Sequence, residues 1–102
     1  MNVFLKRKNG GTDAKGVFDP ETKSLTVLKG SIVSETVTHT EKFRGANTIE
    51  KYREQYVKGG KVKEDVFFKS ASTAANFVTG SSTNGLTAWK DAEGRSIKEI
   101  MS

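Results

Sequence analysis

The sequence contains no cysteine, a single proline, a single histidine and no long apolar run. Without cysteine the chain forms no disulfide, no thiolate zinc site and no cysteine nucleophile. His39 has no second histidine with which to share a metal, so we expect an exposed loop residue rather than a general acid or base. No stretch approaches the ~18 apolar residues of a membrane span, and the first residues lack the apolar run of a signal peptide. We therefore expect a cytoplasmic protein without membrane contact.

Catalytic carboxylate arrangements are also scarce. Glu64 and Asp65 are the only adjacent acidic pair, and the other acidic residues fit neither a calcium loop nor a magnesium cluster. The segment Gly59-Gly60-Lys61 lacks the first glycine and the final hydroxyl residue of a phosphate-binding loop. The sequence therefore predicts a protein that is not an enzyme and that uses no cofactor.

The chain does contain aromatic residues along its length and a surplus of positive charge. Aromatic side chains from Phe4 to Trp89 can supply one modest core in 102 residues, so we expect a single domain over 1–102. Seventeen basic and twelve acidic residues give a net charge of +5. This surplus favours anionic partners such as nucleic acid or acidic protein surfaces. A charge that only keeps the protein soluble explains it equally well.

The first part of the chain has the pattern of β-strands. Short apolar patches at 3–5, 16–18 and 25–28, separated by polar turn residues, predict a small antiparallel meander. A first helix comes next, with Asn47 as N-cap, an end near Lys58 and two glycines as its stop.

The second helix is shorter, and the C-terminal segment after it is ambiguous. Ser70 or Ser72 can cap this helix, and Gly80 suits its left-handed C-terminal position. Residues 86–101 indicate a hairpin, and a short terminal helix capped by Ser96 is the alternative. Together the elements predict an α+β fold in which a small antiparallel sheet, made of the N-terminal meander and the C-terminal hairpin, is packed by two short helices.

Hydroxyl groups, free backbone N–H groups at helix starts and nearby lysines are the groups that hold phosphates. The candidate nucleic-acid-binding residues are Lys58, Lys61, Lys63, Lys69, Ser70, Ser72, Thr73, Asn84 and Lys90. Capping and turn formation also explain the serines and Asn84 without any ligand. Trp89 could stack on a base, but we expect the sole tryptophan of so small a domain to lie in the core.

Several segments occur in an order that resembles a known family: 16–18, 27–31, 68–75, Gly80 and 84–90. The chain resembles, over roughly residues 12–100, a small bacterial domain of unknown function often found C-terminal to GIY-YIG nuclease domains. It is also similar to the RAMA domain, named for its association with restriction enzymes and adenine methylases. Leu86 stands where many members have an aromatic residue.

The resemblance implies a DNA-related accessory module, with recognition of modified DNA as a further implication. It implies no cleavage activity, because the nuclease motifs have no counterpart in this sequence. We therefore predict a non-enzymatic DNA-binding module related to restriction, modification or nuclease proteins. The alternative is a protein-interaction module that docks a nuclease, a methylase or a second copy of itself.

Overall fold

The structure, a computed structural model, describes residues 1–8, 11–37 and 45–102. The strands are β1 (Asn2–Arg7), β2 (Thr12–Phe18), β3 (Leu25–Val27), β4 (Val57–Lys58), β5 (Lys61–Val62) and β6 (Val66–Phe68), and the helices are α1 (Ala46–Tyr56), α2 (Ala71–Thr79), α3 (Gly85–Ala88) and α4 (Ile97–Met101). The predicted α+β fold class is confirmed. The loop prediction for His39 falls outside the described residues.

The main sheet has four antiparallel strands in the order β1-β2-β3-β6. Its first three strands are the predicted meander. Buried and exposed residues alternate without interruption along β2, which is the pattern of a strand with one face on the core. The fourth strand is β6, whose Phe68 lies opposite Leu25. The C-terminal segment, from which the sequence predicted a hairpin, does not supply that strand.

The helices cover one face of this sheet and enclose a single core. The largest fully buried side chains include Trp89, Phe18 and Phe77. Tyr52 of α1 joins them as a partly buried ring, with its centroid 5.2 Å from that of Phe68. The ring centroids of Phe77 in α2 and Phe68 in β6 lie 5.1 Å apart. Tyr52 is therefore a packing residue of the core.

The first helix begins and ends earlier than predicted. It starts at Ala46, its N-cap Gly45 offers no side-chain bond, and Asn47 lies inside the helix. The helix ends at Tyr56 because Val57 is extended, with φ −118° and ψ 134°. Val57 then pairs with Val62 in the two-stranded β4–β5 hairpin. Two adjacent glycines with positive φ form the hairpin turn.

The C-terminal segment is mostly helical. Ser96 accepts a hydrogen bond from the Glu99 N–H at 3.2 Å and so caps α4, as in the alternative prediction. The expected hairpin is reduced to one bridge between Lys90 and Ser96. Asp91 closes its turn, and the hydrogen bond from the Arg95 N–H is the main reason that the pKa of Asp91 lies below its ordinary value. Among the helices described, none is long and apolar enough to cross a membrane.

Candidate functional site

The face of the main sheet that the helices leave uncovered carries three rows of side chains, which we call the outer face. Residues directly opposite each other in an antiparallel ladder project to the same side. The lysine row contains Lys6, Asp13, Ile32, Lys61 and Lys58. The middle row contains Lys90, Phe4 and Lys15, and the apolar row contains Asn2, Val17, Thr26 and Phe67.

The lysine row exists because Ile32 joins the two sheets. Its backbone exchanges two hydrogen bonds of 2.9 Å with Asp13, and it forms a bridge with Lys61 on the other side. Five side chains therefore follow one another at strand spacing, over about 19 Å. Lys61 and Lys58 are directly opposite each other. Like charges in such positions destabilise a sheet, so local stability does not account for this pair.

The outer face is strongly basic. It presents five exposed lysines, which are Lys6, Lys15, Lys58, Lys61 and Lys90, and Asp13 is its exposed acidic member. Beside them the apolar row exposes Val17 by 39% and Phe67 by 60%. Positive charge and accessible apolar surface thus share one side of the molecule.

A cleft of about 360 Å³ lies at the β1 edge of this face. Its lining residues are Phe4, Leu5, Lys6, Arg7, Thr87, Ala88 and Lys90. The edge closes where Phe4 and Lys90 exchange backbone hydrogen bonds of 2.6 and 2.9 Å. Arg7 turns toward the helices, where it donates to the Thr83 hydroxyl at 3.4 Å.

The structure brings together three of the nine predicted binding residues on the outer face: Lys58, Lys61 and Lys90. Lys63 is exposed just beyond β5, and its N–H donates to the Tyr56 carbonyl. Lys69 is exposed between β6 and α2. These five lysines are all accessible, but they do not form one cluster.

The four predicted polar residues form local structure. Ser70 accepts from the Thr73 N–H at 3.1 Å and caps α2, while its hydroxyl lies 2.9 Å from that of Thr73. Asn84 caps α3 by accepting from the Leu86 N–H at 3.0 Å. Ser72 accepts from the Gly85 N–H at 3.0 Å. Ser70, Ser72 and Asn84 therefore have the structural partners that the capping interpretation required, and Thr73 is bonded to Ser70.

The start of α2 is also remote from the β4–β5 hairpin. α2 comes after β6, whose last residues pair at the Phe18 end of β2 through Leu25. The lysine row crosses β2 at Asp13 instead. Five positions of an extended strand span about 17 Å. The hydroxyl groups of Ser70, Ser72 and Thr73 at the start of α2 therefore lie at one end of the sheet, and Lys58 and Lys61 of the β4–β5 hairpin lie at the other.

Contacts within the segment 70–89 stabilise the fold. Trp89 is completely buried, and its indole N–H donates to the Ala71 carbonyl at 3.1 Å. Gly85 lies against the same carbonyl so closely that a Cβ would overlap it. The expectation of a core tryptophan is confirmed, and base stacking by this residue is excluded by its burial.

Sequence reasoning did not single out Lys15 and Phe67 as site residues. The alternation of buried and exposed residues along the strands could have identified both. Lys15 lies between the buried Ala14 and Gly16, and Phe67 lies between the buried Val66 and Phe68. An exposed phenylalanine on a strand whose neighbours are buried marks an accessible sheet face.

Fold and site define the chain as a small α+β domain with one helix-covered and one basic, uncovered sheet face. Comparison with known families matches residues 4–101 to the family described as Domain of unknown function (DUF4357), and the chain belongs to this family. No curated protein and no solved structure matches it. Within the ranges that the structure describes, no group of three or more histidine, aspartate or glutamate side chains could hold a metal ion.

Proposed function

We propose that this domain is a non-enzymatic DNA-binding accessory module that holds the phosphate backbone with the lysines of its outer face. The observation that carries the proposal is the placement of Lys6, Lys15, Lys58, Lys61 and Lys90 on one uncovered side of the sheet. Lysine binds phosphate as a point charge. Cations spread over about 19 Å suit an extended polyanion better than a small ligand.

The repulsion between the neighbouring lysines of the outer face supports an anionic ligand. Lys58 and Lys61 face each other across β4–β5, and a fold selected for stability alone would gain from an opposite charge at either position. Binding to a row of phosphates converts this repulsion into attraction, with release of the counterions that the phosphates had condensed. The net charge of +5 acts in the same direction at longer range.

The finer part of the proposal comes from the resemblance of 68–75 and 84–90 to domains found beside GIY-YIG nucleases and to the RAMA domain. On this basis the module serves bacterial restriction, modification or nuclease proteins in the cytoplasm, and modified DNA belongs to its ligands. The residues of that resemblance stabilise the fold, so the lysines of the outer face are the contacts to test.

The test is fluorescence anisotropy with labelled duplex DNA, with and without N6-methyladenine. Lys58→Glu combined with Lys61→Glu should weaken binding by about tenfold or more at low salt, because two phosphate contacts become repulsive. The matched control is Lys51→Glu with Lys98→Glu, which makes the same charge change on α1 and α4. Tighter binding to the methylated duplex would support recognition of modified DNA.

Equal losses of affinity in the two double variants would mean that net charge alone is responsible. Unchanged binding by the variant with Lys58→Glu and Lys61→Glu would remove these two lysines from the site.

The second candidate function is docking of a nuclease, a methylase or another copy of the chain, which the exposed Phe67, Val17 and Ile32 favour. A dimer that persists at high salt, together with no affinity for nucleic acid, would establish that function instead.

A further inference from the structure

Phosphate binding does not explain the apolar row of the outer face. Among the residues that the structure describes, five large apolar side chains are exposed, and three of them lie on the outer face: Val17 and Phe67 in the apolar row and Ile32 in the lysine row. Phe67 is the most exposed of the five, at 60%. Exposed apolar surface concentrated on one face marks a binding surface rather than chance.

We infer that the apolar row is a stacking platform for the unpaired bases of a single-stranded nucleic acid. This inference rests on the proposed DNA binding and adds the strandedness of the ligand. Stacking on an aromatic side chain requires an accessible ring and an accessible base face. Phe67 supplies the ring, on a strand whose two other residues, Val66 and Phe68, anchor it in the core.

The row continues from Phe67 across the sheet. Phe67 lies opposite Thr26, which in turn lies opposite Val17, so the two exposed apolar side chains are two strand spacings or about 10 Å apart. Lys15 lies two residues from Val17 on the same face of β2, about 7 Å away. The phosphate of a base that stacks on the apolar row therefore lies within reach of Lys15 in the middle row. Phosphates further along the strand can reach the lysine row.

A duplex would gain little from this surface. Its base faces are hidden in the stack, so a duplex on the outer face would contact the lysines and leave the ring of Phe67 against sugar and phosphate. A single strand satisfies both features at once, because its bases are free to lie on the apolar row while its phosphates meet the lysines.

Charge argues against protein occupants. A second copy packed face to face would bring two lysine-bearing surfaces of the same positive charge together, which is repulsive. The centres of protein–protein interfaces are also depleted of lysine, whereas in the middle row of this face two lysines, Lys90 and Lys15, flank Phe4. The surface is complementary to a polyanion that also offers flat apolar groups.

The experiment compares a labelled oligothymidine strand with a labelled duplex of equal phosphate number per strand, at one fixed salt concentration. Phe67→Ala should weaken binding of the single strand by about tenfold, the typical loss for one stacked base, and should leave duplex binding unchanged. Phe67→Tyr keeps a ring and should retain affinity. Met101→Ala removes a similarly exposed apolar side chain from α4 and serves as the control.

A second readout reports stacking directly. The fluorescence of an aminopurine base placed in the oligonucleotide should be quenched by the native protein and by Phe67→Tyr, but not by Phe67→Ala. Equal effects of Phe67→Ala on both ligands, or no effect on either, would overturn the inference while duplex binding by the lysines could stand. Absence of binding to both ligands would overturn the proposed function as well. A dimer dissolved by Phe67→Ala would show that protein occupies the row.

Discussion

At the scale of single residues, Gly85 shows how a position is fixed by its surroundings. It begins α3, where alanine would ordinarily be the better helix former by about 1 kcal/mol. Here the N–H of Gly85 donates to Ser72, and a Cβ at this position would overlap the Ala71 carbonyl and the Ser72 nitrogen. The close approach places Trp89, one turn later, where its indole reaches the same carbonyl.

Gly85→Ala should therefore destabilise the domain by about 2–3 kcal/mol. An added Cβ would overlap backbone, and overpacking of this kind costs about 1–3 kcal/mol. Displacement of α3 would also weaken the bonds to Ser72 and Ala71, at about 1 kcal/mol each. Urea unfolding measures the loss. Thr87→Ser, at an exposed position of the same helix, keeps the hydroxyl that donates to the Asn84 carbonyl at 3.1 Å and should stay within about 0.5 kcal/mol. An unchanged or more stable Gly85→Ala would contradict the packing argument.

Several residue roles that depend on near neighbours could be predicted from sequence, although Asn47, the predicted N-cap of the first helix, lies inside α1. Ser70, Asn84 and Ser96 are caps because each precedes a helical segment whose free N–H groups need an acceptor. Gly85 could not be interpreted in this way. Its neighbours at the contact, Ser72 and Ala71, are thirteen and fourteen residues away in sequence, and nothing local indicates that two helix starts cross there.

At the scale of elements, Arg53 fastens α1 to the rest of the domain. Its Nε donates to the Phe77 carbonyl in the last turn of α2, and Nη1 and Nη2 donate to the carbonyl and hydroxyl of Ser34, each at 2.9 Å. Burial lowers the pKa of Arg53, and the nearby Glu50 opposes that shift. One guanidinium thus joins two helices and the segment after β3.

Arg53→Met should cost about 2–3 kcal/mol, because it removes charge-assisted bonds and leaves carbonyls without their donors. The measurement is the midpoint of urea unfolding at an unchanged slope. Lys51→Met, on the same helix but exposed, is the matched control.

Arg53→Lys keeps the charge and discriminates between two explanations. The planar fork of arginine reaches three acceptors, which an ammonium group cannot do in the same geometry. At least half of the loss should therefore persist in Arg53→Lys. Full recovery would show that charge alone matters at this position.

Element type was harder to predict where two signals compete. Gly59 and Gly60 predict a helix stop, but α1 ends earlier, at Tyr56, and the two glycines form the turn of the β4–β5 hairpin with positive φ. Helix and hairpin meet at Val57, where β-branching favours the extended form. In the C-terminal segment, caps at Asn84 and Ser96 prevailed over the hairpin pattern because side-chain acceptors satisfied both helix starts locally.

At the scale of the whole molecule, the fold separates stability from binding. The helices, Trp89 and the glycine contact lie on the covered side of the sheet, and the rows of lysines and apolar residues lie on the other. The sequence alone could identify the basic residues but could not sort them by face. That sorting depends on the bridge through Ile32, which places Lys6, Lys61 and Lys58 in one row although more than fifty residues separate the first from the others.

This arrangement predicts the salt dependence of binding. If Lys6, Lys15, Lys58, Lys61 and Lys90 each neutralise one phosphate, log K should fall with log salt at a slope of about −3.5 for a single strand and about −4.5 for a duplex. Affinity for a single strand should then drop about a hundredfold between 50 and 200 mM salt. Anisotropy titrations over that range measure the slope.

Neutralisation of two members of the row gives the sharper test of the same idea. Lys58→Gln with Lys61→Gln removes two contacts, so the slope for a single strand should become shallower by about 1.4. Phe67→Ala should lower affinity without changing the slope, because stacking releases no counterions. A slope that responds to Phe67 but not to the two lysines would mean that the phosphates bind elsewhere, and the division of the outer face into charged and stacking rows would be wrong.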